Sequence, residues 1–587
     1  MNDLRFRCTW IIISLTITGS FMQPVRAAQL NFSDQTTSAG ISSVHAVPAG
    51  APYPPMIGGG AVGDFNNDGW QDLFILSGGV TPDKLYINNG DGTFTDQAAA
   101  WGVNVIHQGA GASVGDYDGN GWVDIYATSY CPAGSSPGPG YHRLYRNNGD
   151  GTFTETATQA GVNFAASIPD GFGSAFGDYD LDGDLDLAMT GWSFQAGGTR
   201  LFRNNGDGTF TNATADLNYD MTLVRGFSVR FTDMDKDRYP ELLLVADFST
   251  SRYLGNNRDG TFADLTDRAD TGYDSAGMGT TTGDFDGDGY IDWFVTSVYA
   301  GSNPQTRGNM LYMNVGDGTH RYIEVSEQVG VSDGAWGWGT VAVDFNHDTH
   351  LDIGETNGYS WPPWPNQLNR LYMNNGDGTF TDMATSTGFT FSGQGRGLAN
   401  LDYDNDGDQD TVIFPNQEAI RLYRNDLSGP DTNWLRIFLD TQGDPSLAPN
   451  GYGTRVVITA DGKTQVRYLD AGCNYLAVSE QSVHFGLGAS TQADIRVEWS
   501  DGTVTGVQSV GTNQTLTIAS GASRGPTGDL DGNGLVDLDD IERIAECTTG
   551  PGGHIYTGCT PADWNSDGDA DLEDYAIWQQ VIGAGDP

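Results

Sequence analysis

The chain has 587 residues, too many for one hydrophobic core, and its 82 glycines without a collagen period point to many tight turns and little long helix. Acids outnumber bases 76 to 28, giving a formal charge of −48, which excludes a nucleic-acid binder because no basic surface remains to displace counterions from phosphate. At 38% hydrophobic and 11% aromatic the chain is too apolar for a disordered acidic tail, so its acids are either spread over solvent or neutralised by cations.

At the N-terminus, Arg5 and Arg7 precede an apolar stretch from Trp10 to Phe21, and Val25-Arg26-Ala27 offers a small-residue cleavage site. Residues 1–27 are therefore expected to be an export signal, and the mature protein to be secreted or held at the cell surface. The stretch is too short to span a bilayer, and no later one reaches about 18 continuous apolar residues, so no transmembrane segment is expected. Cys8 leaves with the signal. Cys131 and Cys473 are expected to be unpaired, whereas Cys547 and Cys559, spaced across a Gly-rich turn, suit a disulfide in an oxidising compartment.

Residues 28–428 are dominated by an internal repeat. A stretch of the form Asp-Phe-Asn-Asn-Asp-Gly-Trp-Gln-Asp-Leu starts at Asp64, with relatives at Asp116, Asp178, Asp233, Asp284, Asp344 and Asp402. A Leu-Tyr-x-Asn-Asn-Gly-Asp-Gly-Thr-Phe element follows each, at Leu85, Leu144, Leu201, Tyr253, Leu311, Leu371 and, degraded, Leu422. A third element, Phe-Thr-Asp, opens each unit at Phe32, Phe94, Phe153, Phe210, Phe262, Tyr322 and Phe380. The apolar segments are short and bounded by Asn-Gly turns, the pattern of four strands joined by hairpins. Seven such units predict a mainly β fold, a seven-bladed β-propeller, because radial closure leaves few open strand edges. Phe32 stands ahead of the first unit while the last fades after Leu422, so the N-terminal strand is expected to complete the final blade.

On these motifs residues 30–428 resemble FG-GAP/VCBS repeats, the type found in the integrin alpha-chain propeller. Side-chain oxygens recur at loop positions 1, 3, 5 and 9, with glycine at 6, a layout suited to a calcium ion with six to eight hard oxygen ligands. The expected ligands are Asp64, Asn66, Asp68 and Asp72; Asp116, Asp118, Asn120 and Asp124; Asp178, Asp180, Asp182 and Asp186; Asp284, Asp286, Asp288 and Asp292; Asp402, Asp404, Asp406 and Asp410. Two loops depart from this. Asp233, Asp235, Asp237 and Glu241 carry Arg238 in the glycine slot with Lys236 beside it, and Asp344, Asn346, Asp348 and Asp352 carry Thr349. Both are expected to bind more weakly, or the fourth not at all. None is an EF-hand, because position 12 is Ile75, Met189, Val295 or Ile413, residues that continue a strand. Turn chemistry alone explains the Asp-Gly and Asn-Gly pairs but not four spaced oxygens in every unit.

Residues 429–518 read as a small β-rich module. Asn450-Gly-Tyr-Gly453, the segment from Gly472 to Ser479, His484-Phe-Gly-Leu-Gly488 and Trp499-Ser-Asp-Gly502 resemble the ASPIC/UnbV domain, which implies an association with such propellers but no reaction. His484 beside Phe485 is expected to be a packed histidine rather than a ligand or base. A Gly/Ser/Pro linker at 519–527 leads to residues 528–587, where Asp529, Asp531, Asn533, Asp537 and Asp540, then Asp563, Asn565, Asp567, Asp571 and Asp574, occupy positions 1, 3, 5, 9 and 12 before short helical runs. This pair resembles a type I dockerin, a small α EF-hand-like domain. The resemblance implies two more calcium ions, up to nine in all, and a cohesin-type module on another protein as partner.

Of the eight histidines none joins a Cys/His zinc cluster, and there is no Gly-x-Ser-x-Gly elbow or phosphate-cradling loop. The reading is an extracellular binding or adhesion protein displayed through its dockerin. The alternative is a polysaccharide lyase or glycoside hydrolase tethered in the same way. Trp336, Trp338, Trp192 and Tyr299 are aromatic loop residues whose flat rings suit stacking on sugar faces as well as packing between blades, packing being expected for Trp338, and Trp361 and Trp364 flank a Pro-Pro pair and are the candidates for stacking on a glycan or contacting a protein ligand.

Overall fold

The computed structural model describes residues 28–49, 56–130, 141–163, 170–193, 198–301 and 306–521. The expected export signal at 1–27, Cys131, and the dockerin-like region 528–587 with Cys547 and Cys559 lie outside the described residues.

In the first repeat a glycine-rich inner strand, Gly60–Gly63, enters the acidic loop and returns as Asp72–Ile75, and Lys84–Asn88 and Phe94–Asp96 complete an antiparallel sheet. The outer pair turns through Asn89-Gly90-Asp91-Gly92, where the Asn89 N–H donates to the Thr93 carbonyl at 2.9 Å and Gly90 and Gly92 hold φ of 71° and 82°. These left-handed values favour glycine, which is why the element keeps Gly at both places. A one-turn helix, Ala98–Trp101, then stops on Gly102 and delivers the chain to the next inner strand.

Among the described residues this plan recurs in seven sheets. The last is built from Gly395–Leu401, Asp410–Pro415 and Arg421–Asn425, and its fourth strand is the N-terminal Phe32–Asp34, with Phe32 opposite Asn425. Each inner strand lies against the inner strand of the following sheet, and Gly395–Leu401 lies against Gly60–Gly63.

Two sequence features tie one sheet to the next. The aromatic after the first loop acid packs against the outer-strand aromatic of the following sheet. Phe65 meets Phe153 edge-on at 6.1 Å, Phe285 meets Phe380 at 6.3 Å, and Phe345 meets the N-terminal Phe32 at 5.5 Å. Such pairs add about 0.5–1.5 kcal/mol each beyond the area they bury. The asparagine of the Leu-Tyr-x-Asn element supplies the second link. Its side-chain N–H donates back to the preceding sheet, from Asn147 to the Phe65 carbonyl at 2.8 Å, Asn204 to Tyr117 at 2.9 Å and Asn374 to Phe285 at 2.9 Å. Asn88 makes the same bond to Tyr403 of the last sheet at 2.8 Å.

The module is two packed sheets. Asn433–Asp440 lies between Val483–Gly488 and, in parallel, Gln514–Ala519; the facing sheet holds Lys463–Leu469, Thr454–Ala460, Gln492–Glu498 and Val504–Gly511. Ile437, Val456, Val497 and Trp499 are buried between them, and the Trp499 indole donates to the Thr505 hydroxyl at 2.9 Å. From this module the segment 470–481 reaches in among the inner strands. Ala477–Val478 pairs in parallel with Gly60–Ala61, and the Cys473 N–H bonds the Val229 carbonyl at 3.0 Å. The approach is too close for side chains on the receiving strands: a Cβ at Gly59 would stand 2.1 Å from the Leu476 oxygen, and one at Gly279 would stand 2.6 Å from that of Asn474. Cys473 is a free thiol, fully buried there.

Candidate metal centres

Each acidic loop wraps around its own first carboxylate. Asp64 Oδ1 accepts from the Asp68 N–H at 3.0 Å and Oδ2 from Gly69 at 2.8 Å. The ninth-position acid begins the returning strand and fixes the loop's other end. Asp72 Oδ2 accepts from the Phe65 N–H at 3.0 Å, and Oδ1 from the N–H of Asn88, the asparagine that bonds the neighbouring sheet. Loop geometry and sheet-to-sheet register are thus joined through one carboxylate. The sequence reading overlooked these asparagines as part of the site, although their recurrence in all seven Leu-Tyr-x-Asn elements was the available signal.

The structure brings three ligand-type oxygens within 4.8 Å of one another at Asp116, Asp118 and Asp124; at Asp178, Asp180 and Asp186; at Asp233, Asp235 and Glu241; at Asp284, Asp286 and Asp288; and at Asp402, Asp404 and Asp410. At this separation two charged carboxylates repel by about 3 kcal/mol for an effective dielectric of ~20. Burial, with neighbouring acids adding to it, lifts Asp116 to about 6, Asp233 to about 7 and Asp178 and Asp402 to about 8. Asp124, Asp186, Asp292 and Asp410 are pushed well above the ordinary carboxylate value, again by burial first. The donor sets fit a hard divalent cation on a further count. Asp118 Oδ1, Asp180 Oδ1, Asp284 Oδ1 and Asp404 Oδ1 are buried with no hydrogen-bond partner, and carboxylate oxygens so placed need a cation or water. A bound ion would supply charge neutralisation and a rigid tie across the loop.

The two divergent loops keep the backbone of the others. Arg238 has φ 79° and Thr349 φ 87°, beside 86° at Gly69 and 85° at Gly289, and their N–H groups still bond Asp233 and Asp344 at 2.9 and 2.8 Å. Holding a side chain in this region costs about 1–3 kcal/mol. The fourth loop also meets basic side chains of the protein: Arg258 contacts Asp237, and His320 Nε2, whose pKa burial lowers, lies 3.3 Å from Asp235. Its three acids converge nonetheless. In the first and sixth loops Asn66 and Asn346 replace an acid and bond Asp68 and Asp348 at 2.7 and 2.8 Å.

The module sits on these loops. Arg436, fully buried, reaches Asp402 at 3.3 Å, Asn405 at 2.7 Å and Glu480 at 2.6 Å. Asn450 accepts from the Asp116 N–H at 3.3 Å, and Arg455 donates to the Gly289 carbonyl at 3.3 Å. His484 packs as expected, tilted against His347 at 4.9 Å and stacked on Trp434, with Nε2 bonded to the Gly407 carbonyl at 3.0 Å. A polar cavity of about 120 Å³ remains beneath the module, lined by Arg230, Asp344, Arg467, Asp470 and Glu480 among others, a volume suited to a few waters.

At the other end of the inner strands lies an aromatic cluster. Trp336 stacks on Tyr359 at 4.1 Å and meets Trp364 edge-on at 4.7 Å, while Trp338 is buried between Arg396, 3.9 Å above its ring, and Tyr475 of the module. Trp364 is half-buried by this packing, so of the two candidates Trp361 alone stands open, 64% exposed and edge-on to Tyr359. Trp192 is packed too, its indole bonded to Asp247 at 3.2 Å. Asp83, His107 and Ser129 lie in a row of the type used in hydrolysis, His107 Nε2 being 2.7 Å from Asp83 and Nδ1 bonded to the Ser129 hydroxyl at 2.5 Å. All three are about 1% exposed or less, so no substrate reaches the serine and the row is a packing network.

Residues 64–127, 133–189 and 233–295 match the FG-GAP-like repeat family, and residues 444–525 match the ASPIC and UnbV family. The chain is 28% identical to cartilage acidic protein 1 of Xenopus tropicalis over 257 residues, 42% of this chain and 38% of that one. It is 28% identical to the Homo sapiens protein of the same name over 260 residues, 43% and 37%. The chain thus contains FG-GAP-like repeats and an ASPIC/UnbV domain, is homologous to cartilage acidic protein 1, and spans under two fifths of the length of these relatives. Among solved structures it is similar to rhamnogalacturonan lyase YesW, with 15% identity, a TM-score of 0.34 and coverage of 65% of this chain and 75% of that. It is also similar to BBS1N in complex with ARL6DN, with 11% identity, a TM-score of 0.40 and coverage of 68% and 97%. Among the described residues no helix is long and apolar enough to cross a membrane.

Proposed function

We propose that this chain is an exported, calcium-stabilised seven-bladed propeller that works as an extracellular binding module. The single observation that carries the reading is the set of convergent acid clusters whose buried carboxylate oxygens lack a partner. Such clusters are costly without a cation and suit calcium through their all-oxygen donors and glycine-bent loops. In-order contact of the inner strands, the return of Phe32–Asp34 to the last sheet and the bond from Asn88 to Tyr403 support closure into a ring of seven blades. Asp64, Asp116, Asp178, Asp233, Asp284, Asp344 and Asp402, with their loop partners, would hold the ions.

The ligand face of this reading is the aromatic end, where Trp361 offers an open ring to a glycan or a protein. Binding is favoured over polysaccharide cleavage because the axis, where a polymer cleft would run, holds Cys473, Tyr475 and Leu476. The C-terminal acid pair at Asp529 and Asp563 would add display on a cohesin-bearing partner, again dependent on calcium.

Metal analysis and calorimetric calcium titration of the purified mature chain test the core of the proposal. Bound calcium in several equivalents per chain, and a melting temperature that falls in chelator, are expected. No bound metal and an unchanged melting temperature would reject it. A glycan array run beside an assay for newly formed sugar ends separates binder from enzyme, since turnover would overturn the binding assignment.

A further inference from the structure

The segment 470–481 is a plug, and its seat is built from the seventh acidic loop. Along its length it bonds the inner strands of several sheets: the Cys473 N–H to Val229 at 3.0 Å, the Leu476 oxygen to Gly60 at 3.1 Å, the Asn474 oxygen to Thr340 at 3.1 Å and the Glu480 N–H to Asn400 at 3.1 Å. Its tip is held in an unfavourable conformation. Tyr475 and Leu476 have φ of 117° and 55°, values that side-chain-bearing residues keep only where surrounding contacts over-determine them. The Tyr475 hydroxyl is tied to the Met56 carbonyl at 2.7 Å, and the ring is fully buried against Trp338 and Phe227.

At its base the plug shares a charged network with loop seven. Glu480 accepts from Arg436 at 2.6 Å, from the Asp402 N–H at 3.1 Å, from Gln409 at 3.0 Å and from Ser482 at 2.7 Å. Arg436 in turn holds Asp402 and Asn405, and Trp434 packs so tightly on Gly407 that a Cβ there would meet its ring. Asp402, Asn405 and Gly407 belong to the loop whose Asp402, Asp404 and Asp410 converge. That loop must keep its curl for the network to close, and the repulsion among its acids that Arg436 does not offset works against both when no cation is bound.

Resting on the calcium reading of these loops, we propose that the propeller and module form a cation-dependent latch: calcium in loop seven sets the Arg436–Asp402–Glu480 junction and so locks the 470–481 plug into the channel, and its loss frees the plug and relaxes its tip. The module would then change from an inserted part of the propeller into a tethered one, and the channel would open to the aromatic face.

Cys473 reports on this directly, being fully buried in the seated plug. The full chain is labelled with a maleimide in calcium and in chelator, and the modified peptide is identified by mass. Hydrogen exchange on the same samples follows the outer strands, such as Leu144 and Leu371. Expected is a rise of about tenfold or more in Cys473 labelling when calcium is withdrawn, while the outer-strand amides stay protected, because the plug is the less stable unit. R436Q should label quickly even in calcium. Should R436Q fail to fold, E480Q tests the same junction from the plug side. Calcium bound stoichiometrically with Cys473 equally protected in chelator would overturn the latch and leave the calcium reading intact. Absence of bound calcium would remove both. Labelling that appears only together with loss of outer-strand protection would also refute the latch, since the plug would then leave by global unfolding.

Discussion

Asp180→Ala should change the sign of its effect on stability with calcium. Asp180 Oδ1 is buried without a partner, and Asp178 and Asp186 lie within 4.8 Å. Without metal, burial and then its acidic neighbours raise its pKa from 3.8 to about 6. At ~1.4 kcal/mol per pH unit this is about 3 kcal/mol against the charged form, reduced to roughly 1–2 kcal/mol because the side chain is half-buried and water screens it. Removing the carboxylate in chelator should therefore stabilise the chain by that amount. In saturating calcium the same change removes a ligand, and a hundredfold weaker site costs about 2.7 kcal/mol. Urea unfolding followed by tryptophan fluorescence should show opposite shifts, about 1–2 kcal/mol stabilising in chelator and, once that gain is set against the lost binding, about 1 kcal/mol destabilising in calcium, so the two conditions differ by about 2.7 kcal/mol. Two shifts of the same sign and size would refute the view that these acids are placed for a cation.

Three further outcomes follow from the geometry. In chelator, Asp178, Asp233 and Asp402, with folded values of about 7–8 against 3.8 unfolded, bind more protons in the folded state, so metal-free stability should fall as pH rises from about 4 to about 8. Calcium must displace those protons, so the gap in melting temperature between calcium and chelator should widen over the same window, with proton release visible by calorimetry in buffers of different ionisation enthalpy. Asn374→Ala removes bonds to Phe285 and Leu351 and strands both buried carbonyls, a loss of about 2–5 kcal/mol measurable by urea unfolding. Trp361→Ala should leave stability within about 0.5 kcal/mol yet abolish retention on any ligand of the aromatic face, whereas Trp338→Ala, buried under Arg396, should cost about 3–5 kcal/mol in a thermal melt.

Much of the architecture was legible in the chain itself, because repetition makes local rules visible. Loop acids at alternate positions recur in every unit, an Asn-Gly turn with an aromatic two residues past its second glycine recurs in four, and each acts within a few residues of its own position. The single strand at Phe32, ahead of the first acid loop, was enough to place it in the last sheet, as its pairing with Asn425 shows. Local pattern could not tell Trp361 from Trp364. Exposure of a loop aromatic depends on what the rest of the chain brings alongside, and Trp336 covers one of the two. Nor could it show that residues 470–481 enter among the inner strands of the repeated sheets. Gly59 and Gly279 read as turn punctuation, and their need for empty space arises only when Leu476 and Asn474, some 400 and 200 positions later in the chain, arrive against them. The arginine at 436 reads as one more strand residue until folding sets it beside Asp402 and Glu480. Sequence spacing determined which oxygens meet in a loop, since a nine-residue turn has few ways to close. The tertiary structure decided what those loops support, because a module's seat is made of surfaces that no short segment owns.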